Sequence, residues 1–338
     1  MNTVPDFSGL RVAVVGDLVA DFYLYGEPTR LSREAPVLVL RHRREALGAG
    51  GAANAARNLA ALGARVAVLG LVGRDRTGRE LLERLEHDGI DVSDALARTD
   101  WQTPTKTRIL GAEPGRTPQH VLRIDREPEQ APTDDARAAL AGRLRARQGE
   151  LDVVLGSDYG YGLLAGELAG TLRALAAAGV RTVLDPRRSF EAFAGLTAMT
   201  PNLGELALFA RTGVEELGTT TALDAAARTL RQRCDLEYLL VTLGNRGMRL
   251  YSRGAEVPLE VAAAGREAVD VSGAGDTAAA AFALGLAAGL PGTDAMRLAN
   301  AAAGLVVMEP GATACSLDRL RSALPSAPRV RGGLTRTS

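Results

Sequence analysis

Four short segments of this sequence combine residue types and spacings suited to chemistry. The first is Asp270-Val-Ser-Gly-Ala-Gly-Asp-Thr277, followed directly by the small-residue run Ala278–Leu290. A glycine-rich turn that opens a helix aims backbone N–H groups at one point, and the helix dipole adds positive potential there. Gly273 and Gly275 let the backbone approach an anion without a Cβ in the way. Asp276 lies beside that anion hole. A carboxylate so placed can take a proton from a hydroxyl while the amides hold the phosphoryl group under attack. Read alone, the same residues also fit an ordinary helix N-cap.

The second segment, Gly48-Ala-Gly-Gly-Ala-Ala-Asn54, precedes a helix and puts Asn54 in its first turn. A side-chain amide both donates and accepts, which suits sugar hydroxyls; tight helix–sheet packing explains the glycines and alanines equally. The third is Gly16-Asp17 with Asp21, after the first strand. Carboxylates there can accept from paired sugar hydroxyls, or simply be solvated. In the fourth, Thr200-Pro-Asn-Leu-Gly-Glu205, Asn202 and Glu205 share one face of a starting helix. Glu205 can order the water shell of Mg²⁺ on nucleotide phosphates, and the pair also makes a capping box.

Other chemistries lack their signatures. The sequence has no G-x-x-x-x-G-K-[ST] phosphate loop, no G-x-G-x-x-G after the first strand and no G-x-S-x-G elbow. His42, His87 and His120 fit no His/Cys metal spacing.

The elements that must position these residues read as an α/β domain. Arg11–Gly16 is a continuous β-branched run, the texture of a strand buried on both faces. It returns at Arg65–Gly70, Asp152–Gly156, Arg181–Asp185 and Tyr238–Thr242. Helical patterns lie between, at Ala52–Leu62, Gly78–His87, Asp135–Arg147, Gly166–Ala178 and Leu223–Arg233. The alternation predicts a doubly wound parallel sheet with ligands at the strand C-termini. Two stretches break it. Asp21–Arg43 and Thr103–Asp125 carry strand-like pieces without helices and predict a small antiparallel sheet outside the core, a lid. A hairpin is predicted at Arg246–Leu259 with Gly254 at its turn, and the tail 325–338 reads as disordered. With no repeat and no linker, residues 1–324 read as one unit.

The chain has 338 residues, with 40 basic against 40 acidic side chains and no net charge. That leaves no global field to hold a polyanion, so nucleic acid is excluded as a first partner. Hydrophobic residues at 46% with aromatics at only 4% predict a core of Ala, Val and Leu. Two cysteines, Cys234 and Cys315, make no disulfide framework and suit a reducing compartment. Residues Met1–Leu10 lack the basic and apolar regions of a secretory signal, and Thr277–Leu290 is too short to span a bilayer. A cytoplasmic protein without membrane partners is expected. Lys106 is the single lysine among 40 basic residues.

With these four segments in this order, the chain resembles the ribokinase-like (PfkB-type) carbohydrate kinases from about Leu10 to Leu324. Asp270–Thr277 is similar to that family's C-terminal signature, and Gly50–Asn54 to its N-terminal one. Further segments narrow the match: Val15–Gly26, Ser32–Val37, Thr105–Arg108, Leu122–Asp125, Ser157–Tyr159, Asp185-Pro186 and Thr200–Glu205. Together they resemble the kinase domain of the bifunctional ADP-heptose synthesis proteins.

The resemblance implies a three-layer α/β/α fold with a β lid, and ATP-dependent phosphorylation of D-glycero-D-manno-heptose 7-phosphate at O1. The product, heptose 1,7-bisphosphate, feeds ADP-heptose-type nucleotide-sugar synthesis. In two-function proteins a nucleotidyltransferase domain follows; with the chain ending at Ser338, adenylyl transfer is expected of another protein. By the same resemblance Asp276 is the base, and Gly273, Ala274 and Gly275 form the anion hole. Asp21, Gly50, Gly51, Asn54 and Asp158 hold the sugar; Lys106, Arg108 and Arg123 in the lid meet its phosphate. Asn202, Glu205, Thr242, Gly244 and Asn300 line the ATP and Mg²⁺ side. Backbone carbonyls of Asp270 and Ser272 bind a monovalent cation such as K⁺, and the lid forms a homodimer interface. Two positions depart from the heptose kinases, which carry lysine where this chain has Tyr161 and Arg187.

The alternatives are a kinase for another sugar or sugar phosphate (fructose, ribose, fructose 6-phosphate) and a sugar- or nucleotide-binding regulator without catalysis. An NAD-dependent oxidoreductase rests on the first strand alone.

Overall fold

The computed structural model describes residues 4–113, 115–116, 118–264, 270–309, 311 and 313–324. The tail 325–338, expected to be disordered, lies outside the described residues.

The chain opens with β1 (Arg11–Gly16), continues into two long strands, β2 (Leu18–Leu31) and β3 (Leu38–Gly51), and enters α1 (Ala52–Ala61). Then come β4 (Arg65–Leu69), β5 (Leu71–Gly73), α2 (Arg76–His87), β6 (Leu96–Arg98), β7 (Thr105–Gly111) and β8 (Gln119–Arg126). The alternation resumes with α3 (Asp134–Ala146), β9 (Val153–Ser157), α4 (Gly166–Ala177) and β10 (Arg181–Asp185). After the two-residue β11 (Ala198–Met199) follow α5 (Leu203–Ala210), α6 (Thr220–Arg233), β12 (Tyr238–Thr242), β13 (Met248–Ser252) and β14 (Leu259–Val261). The segment ends with α7 (Ala274–Ala287), α8 (Gly292–Val306) and α9 (Leu317–Ala323).

Eight strands form the main sheet in the order β14-β13-β12-β11-β10-β9-β1-β4. All pairings from β4 to β12 are parallel, and β13 and β14 close the edge antiparallel, with Gly254 at φ +79° in the intervening turn. In β1, Val12 and Val14 pack with α1, α7 and α8, while Ala13 and Val15 pack with α3, α4 and α6. Both faces are covered, which is why the strand reads as unbroken apolar residues. The order turns around β1, which feeds β4 on one side and borders β9 on the other. Register aligns Gly16, Ser157 and Asp185 at the carboxyl edge, so Asp17 and Asp158 follow side by side.

The second sheet has the order β3-β2-β7-β8 and stands apart from the first. Its outer pairs, β2/β3 and β7/β8, are antiparallel as expected; the central pair β2/β7 is parallel. Each central strand leads its own antiparallel pair, and the two leaders lie side by side. The strands also reach further than the sequence suggested, from Leu18 and to Gly51. Asp21 and Gly50 therefore belong to this sheet and not to loops.

The low aromatic content has a structural use in α7, where every residue from Asp276 to Leu286 is buried. Alanine and glycine let this helix approach its neighbours closely. A Cβ on Gly285 would stand 2.9 Å from the Ala295 Cβ on α8. Both cysteines are buried and unpaired. Among the described residues no helix is long and apolar enough to cross a membrane. Gly285→Val should overpack the α7/α8 contact and lower stability by about 1–3 kcal/mol, read from the urea midpoint.

Candidate active site

The site begins where α7 begins. Gly273 has φ +78°, a left-handed conformation that a side chain would strain, and it turns the chain into the helix. Thr277 anchors the turn by donating its hydroxyl and its amide to the Gly273 carbonyl, at 2.9 and 3.0 Å. The Ala274 amide is occupied by the Val271 carbonyl at 3.3 Å. Gly275 faces open space, with nothing within 4 Å of where a Cβ would stand. Of the predicted anion hole, Gly273 and Gly275 line the cavity beside Asp276.

Asp276 is 3% exposed. Its carboxylate accepts from the Asn54 side-chain amide at 2.7 Å and from the Tyr159 hydroxyl at 2.8 Å. Burial pushes its pKa up to about 6, with Asp21 adding to the rise; the Asn54 and Tyr159 hydrogen bonds and the Lys106 charge oppose it. A second buried layer holds this arrangement. The Asn58 carbonyl oxygen accepts from the Thr277 hydroxyl at 3.1 Å and the Cys315 amide at 3.0 Å, and the Asn58 amide donates to the Asn54 backbone carbonyl. Asn54 is in place because the chain turns into α1 at Gly51, the residue before the helix, with φ +58° and the Asp17 carbonyl 2.6 Å from where a Cβ would stand.

A cavity of about 290 Å³ opens over Asp276 and meets Lys106, Arg123, Asp158, Tyr159, Asp185 and Glu205. The β2/β7 register sets Lys106 beside Asp21. The Lys106 ammonium lies 5.3 Å from the Tyr159 ring centroid. Gly50 closes on Asp21, whose carboxylate is 3.0 Å from where a Cβ would stand. The structure separates the three predicted lid cations. Arg108 is buried and donates to Asp21 at 2.7 Å, and it lines a neighbouring opening with His120 and Asp270. Arg123 donates twice to Asp125 on the exposed β8, at 2.9 and 3.0 Å. Asp158 lines the cavity, but its carboxylate accepts three backbone amides, those of Gly160, Arg187 and Arg188. It is tied into holding two turns together.

A second cavity of about 470 Å³ adjoins the first and shares Asn202, Thr242 and Gly275 with it. Gly244, Asn300, Ala303 and Val307 line it, so the predicted nucleotide-side residues converge here, except Glu205. The Asn300 amide donates to the Ala262 carbonyl at 2.8 Å. Asn202 and Glu205 form the capping box of α5, at 2.8 and 2.9 Å. Glu205 also receives Arg187 at 3.3 Å. Burial raises the pKa of Glu205, and burial together with Glu205 and Asp276 raises that of Asp185. Among the described residues no three acidic, His or Cys side chains form a metal-binding group. Two crowded acids without a third ligand suit a cation that keeps its own waters. The Asp270 carboxylate ties its own loop to the segment after α8, accepting from the Ser272 amide at 2.8 Å and the Gly311 amide at 2.9 Å.

A base at a helix N-terminus, between a polar cavity and a mostly apolar one, can deprotonate a hydroxyl facing a bound phosphate. Comparison with known proteins agrees in kind. Residues 10–319 match the pfkB family carbohydrate kinase profile. The chain belongs to the pfkB family of carbohydrate kinases.

It is 43% identical over 319 residues to the bifunctional protein HldE of Magnetococcus marinus, covering 93% of this chain and 64% of that protein. It is 39% identical over 313 residues to the D-beta-D-heptose 7-phosphate kinase of Bordetella bronchiseptica, covering 92% of this chain and 95% of that protein. The chain thus spans less than two thirds of the bifunctional relative. In fold it is similar to phosphofructokinase-2 from Escherichia coli in complex with fructose-6-phosphate, with TM-score 0.74, 19% identity, and 93% and 98% of the two chains covered. Arabidopsis thaliana ribokinase complexed with ribose and ATP gives TM-score 0.71 at 21% identity, with the same coverage.

Within this pfkB-family site, sequence reading assigned no role to Tyr159 or Asp185. Their signal was present: both lie at or just past the C-terminus of a parallel-strand run, where ligands bind. Burying the Asp276 charge has a thermodynamic consequence. Its folded pKa of about 6 lies above the ordinary 3.8, so ionisation destabilises the fold as pH rises from about 4 through 6. Asp276→Asn should gain up to about 3 kcal/mol at pH 7.5. In urea titrations the gain should vanish below about pH 4.

Proposed function

We propose that this chain transfers the γ-phosphoryl group of ATP to O1 of D-glycero-D-manno-heptose 7-phosphate, giving the 1,7-bisphosphate and ADP. One observation carries the reading: a buried carboxylate, Asp276, is kept titratable near neutrality by Asn54 and Tyr159 at the first turn of α7. The similarity to a heptose 7-phosphate kinase along 95% of that protein supports the acceptor.

In this reading the acceptor lies in the smaller cavity with O1 on Asp276. Asp276 takes the O1 proton as the O1–phosphorus bond forms and the bond to the ADP oxygen breaks. The first-turn amides around Gly275 stabilise the charge on the migrating group. Asp21 and Asn54 do not line that cavity; they stand behind its wall, Asn54 against Asp276 and Asp21 beside Lys106, and are proposed to meet sugar hydroxyls once the acceptor is seated. Lys106, with Arg123 at the rim, takes the 7-phosphate, while Arg108 acts through Asp21. The larger cavity takes the nucleoside of ATP. Asp185 and Glu205 would hold the water shell of Mg²⁺, which supplies charge neutralisation between the phosphates. The loop at Asp270 and Ser272 is the proposed place for K⁺. Exposed Val121, Leu122 and Ile124 on β8 support a homodimer through the second sheet, and the substrates suit the cytoplasm.

A free sugar acceptor is the second reading. Tyr161, standing where the resemblance implied a lysine, lies beside Glu127 and adds no positive charge.

ADP release should be fast with heptose 7-phosphate and slow with fructose, ribose and fructose 6-phosphate; the reverse order refutes the acceptor. Asp276→Asn should lower kcat about 10³-fold, and wild-type kcat/KM should fall tenfold per pH unit below about 6. Lys106→Ala should raise KM for the phosphorylated acceptor by at least about tenfold while leaving KM for ATP unchanged.

A further inference from the structure

We infer that Asp17 is a positioning residue for the base: from outside the cavity its side chain fixes the turn that carries Tyr159, one of the two side chains that hydrogen-bond Asp276. The inference rests on Asp276 being the base and assigns that base its support.

Asp17 is 3% exposed and follows the last residue of β1. Its side chain accepts from the Tyr159 amide at 2.8 Å and the Tyr161 amide at 3.3 Å. Its own carbonyl accepts from the Ala52 amide at 3.0 Å, where α1 begins. Its amide donates to the Ser157 carbonyl at 3.1 Å, at the end of β9. One residue thereby joins the strand edge, the turn that carries Tyr159 and the helix start that carries Asn54. Those two side chains are the partners of the Asp276 carboxylate. The three segments also touch at Gly51, where a Cβ would lie 2.6 Å from the Asp17 carbonyl and 3.3 Å from the Tyr159 ring.

The turn needs such a support. Gly160 and Gly162, both at positive φ, flank Tyr161, and no helix or strand covers the segment from Asp158 to Ala165. Free glycines would let the Tyr159 hydroxyl wander from its 2.8 Å contact. Asp158 ties the outer side of the turn through Gly160, and Asp17 ties the inner side. Asp17 does not line the cavity, so the effect of its side chain must pass through Tyr159.

The charged and titratable groups around the pair set the sign of the test. Asp276 faces Asp21 from β2, Lys106 from β7, Tyr159 from the turn and Asp185 from the end of β10. Asp17 faces Asp158 and Tyr161. Burial pushes the Asp17 pKa up to about 7, so around the acid limb its carboxyl is mostly uncharged and its loss adds no sizeable electrostatic shift of its own. Releasing Tyr159 removes a donor to the Asp276 carboxylate and moves the limb to higher pH.

The test compares pH profiles of kcat/KM for Asp17→Ala, Asp17→Asn, Tyr159→Phe and the Asp17→Ala/Tyr159→Phe pair, using ATP and heptose 7-phosphate. Tyr159→Phe and Asp17→Ala should each move the acid limb upward by about one pH unit, with kcat falling more than KM rises. The double variant should show no further shift, since both changes remove one contact. Asp17→Asn keeps an oxygen for the Tyr159 amide and should return the limb most of the way. If Asp17→Ala does not fold, Asp17→Ser, too short to span both amides, carries the same expectation. A limb that stays in place or moves down, or a double variant that shifts by the sum, overturns the inference. Asp276→Asn separates the two layers. If it keeps wild-type turnover, the base assignment itself fails; if it is inactive while the Asp17 variants leave the limb unmoved, only Asp17 loses its role.

Discussion

Burial of the Asp276 carboxylate against the first turn of α7 is the interaction around which the site is built. Desolvation alone would leave this group protonated and useless as a proton acceptor. The donors from Asn54 and Tyr159, the Lys106 charge and the helix dipole bring it back toward neutrality. Asp21 pulls the other way, and it is itself paired with buried Arg108 at 2.7 Å. That ion pair limits how much negative potential reaches the base. A buried pair of this kind adds little to stability by itself. Its effect here is to keep one buried carboxylate from silencing another.

The packing of α7 follows from the same requirement. An acid at a helix start can be buried only if the helix sits deep, and depth requires small side chains. The run Ala278–Ala281 and the glycine at 285 supply them, and α1 and α8 close in on either side. The polar layer of Asn58 and Thr277 then sets the relative placement of α1 and α7 by hydrogen bonds, which apolar contact between two alanine-rich helices would leave loosely specified. Core and site are in this way one construction.

The second sheet contributes geometry that loops would supply less well. Its central parallel pair brings Asp21 and Lys106 side by side on adjacent strands, over the carboxyl edge of the main sheet. Backbone hydrogen bonds hold both side chains at a fixed separation, a rigidity that a binding site gains from regular structure. The two cavities meet at Asn202, Thr242 and Gly275, so the helix start lies at the seam between them. A group crossing from one to the other passes the only first-turn carboxylate of α7.

Much of this was legible in the residues. Buried parallel strands announce themselves as β-branched runs, the α7 start as glycines before an alanine helix, and the capping box as Asn202 with Glu205. These are signals of period and turn chemistry, carried by neighbours in the chain. The contacts that decide the site were not legible. Tyr159 reaches Asp276 across 117 positions, Arg108 reaches Asp21 across 87, and Asp17 reaches Tyr159 across 142. The family resemblance implied Arg108, with Lys106 and Arg123, as a phosphate ligand. The tertiary ion pair at 2.7 Å gives it to Asp21, although the β2/β7 register sets Arg108 beside Tyr23. The amino-acid sequence by itself determined the elements, the turn that ends in a carboxylate and the class of chemistry, since each depends on local backbone preference. Which side chains support that carboxylate was decided by strand order and loop path, because a hydrogen bond depends on ångström-scale placement that no local pattern encodes.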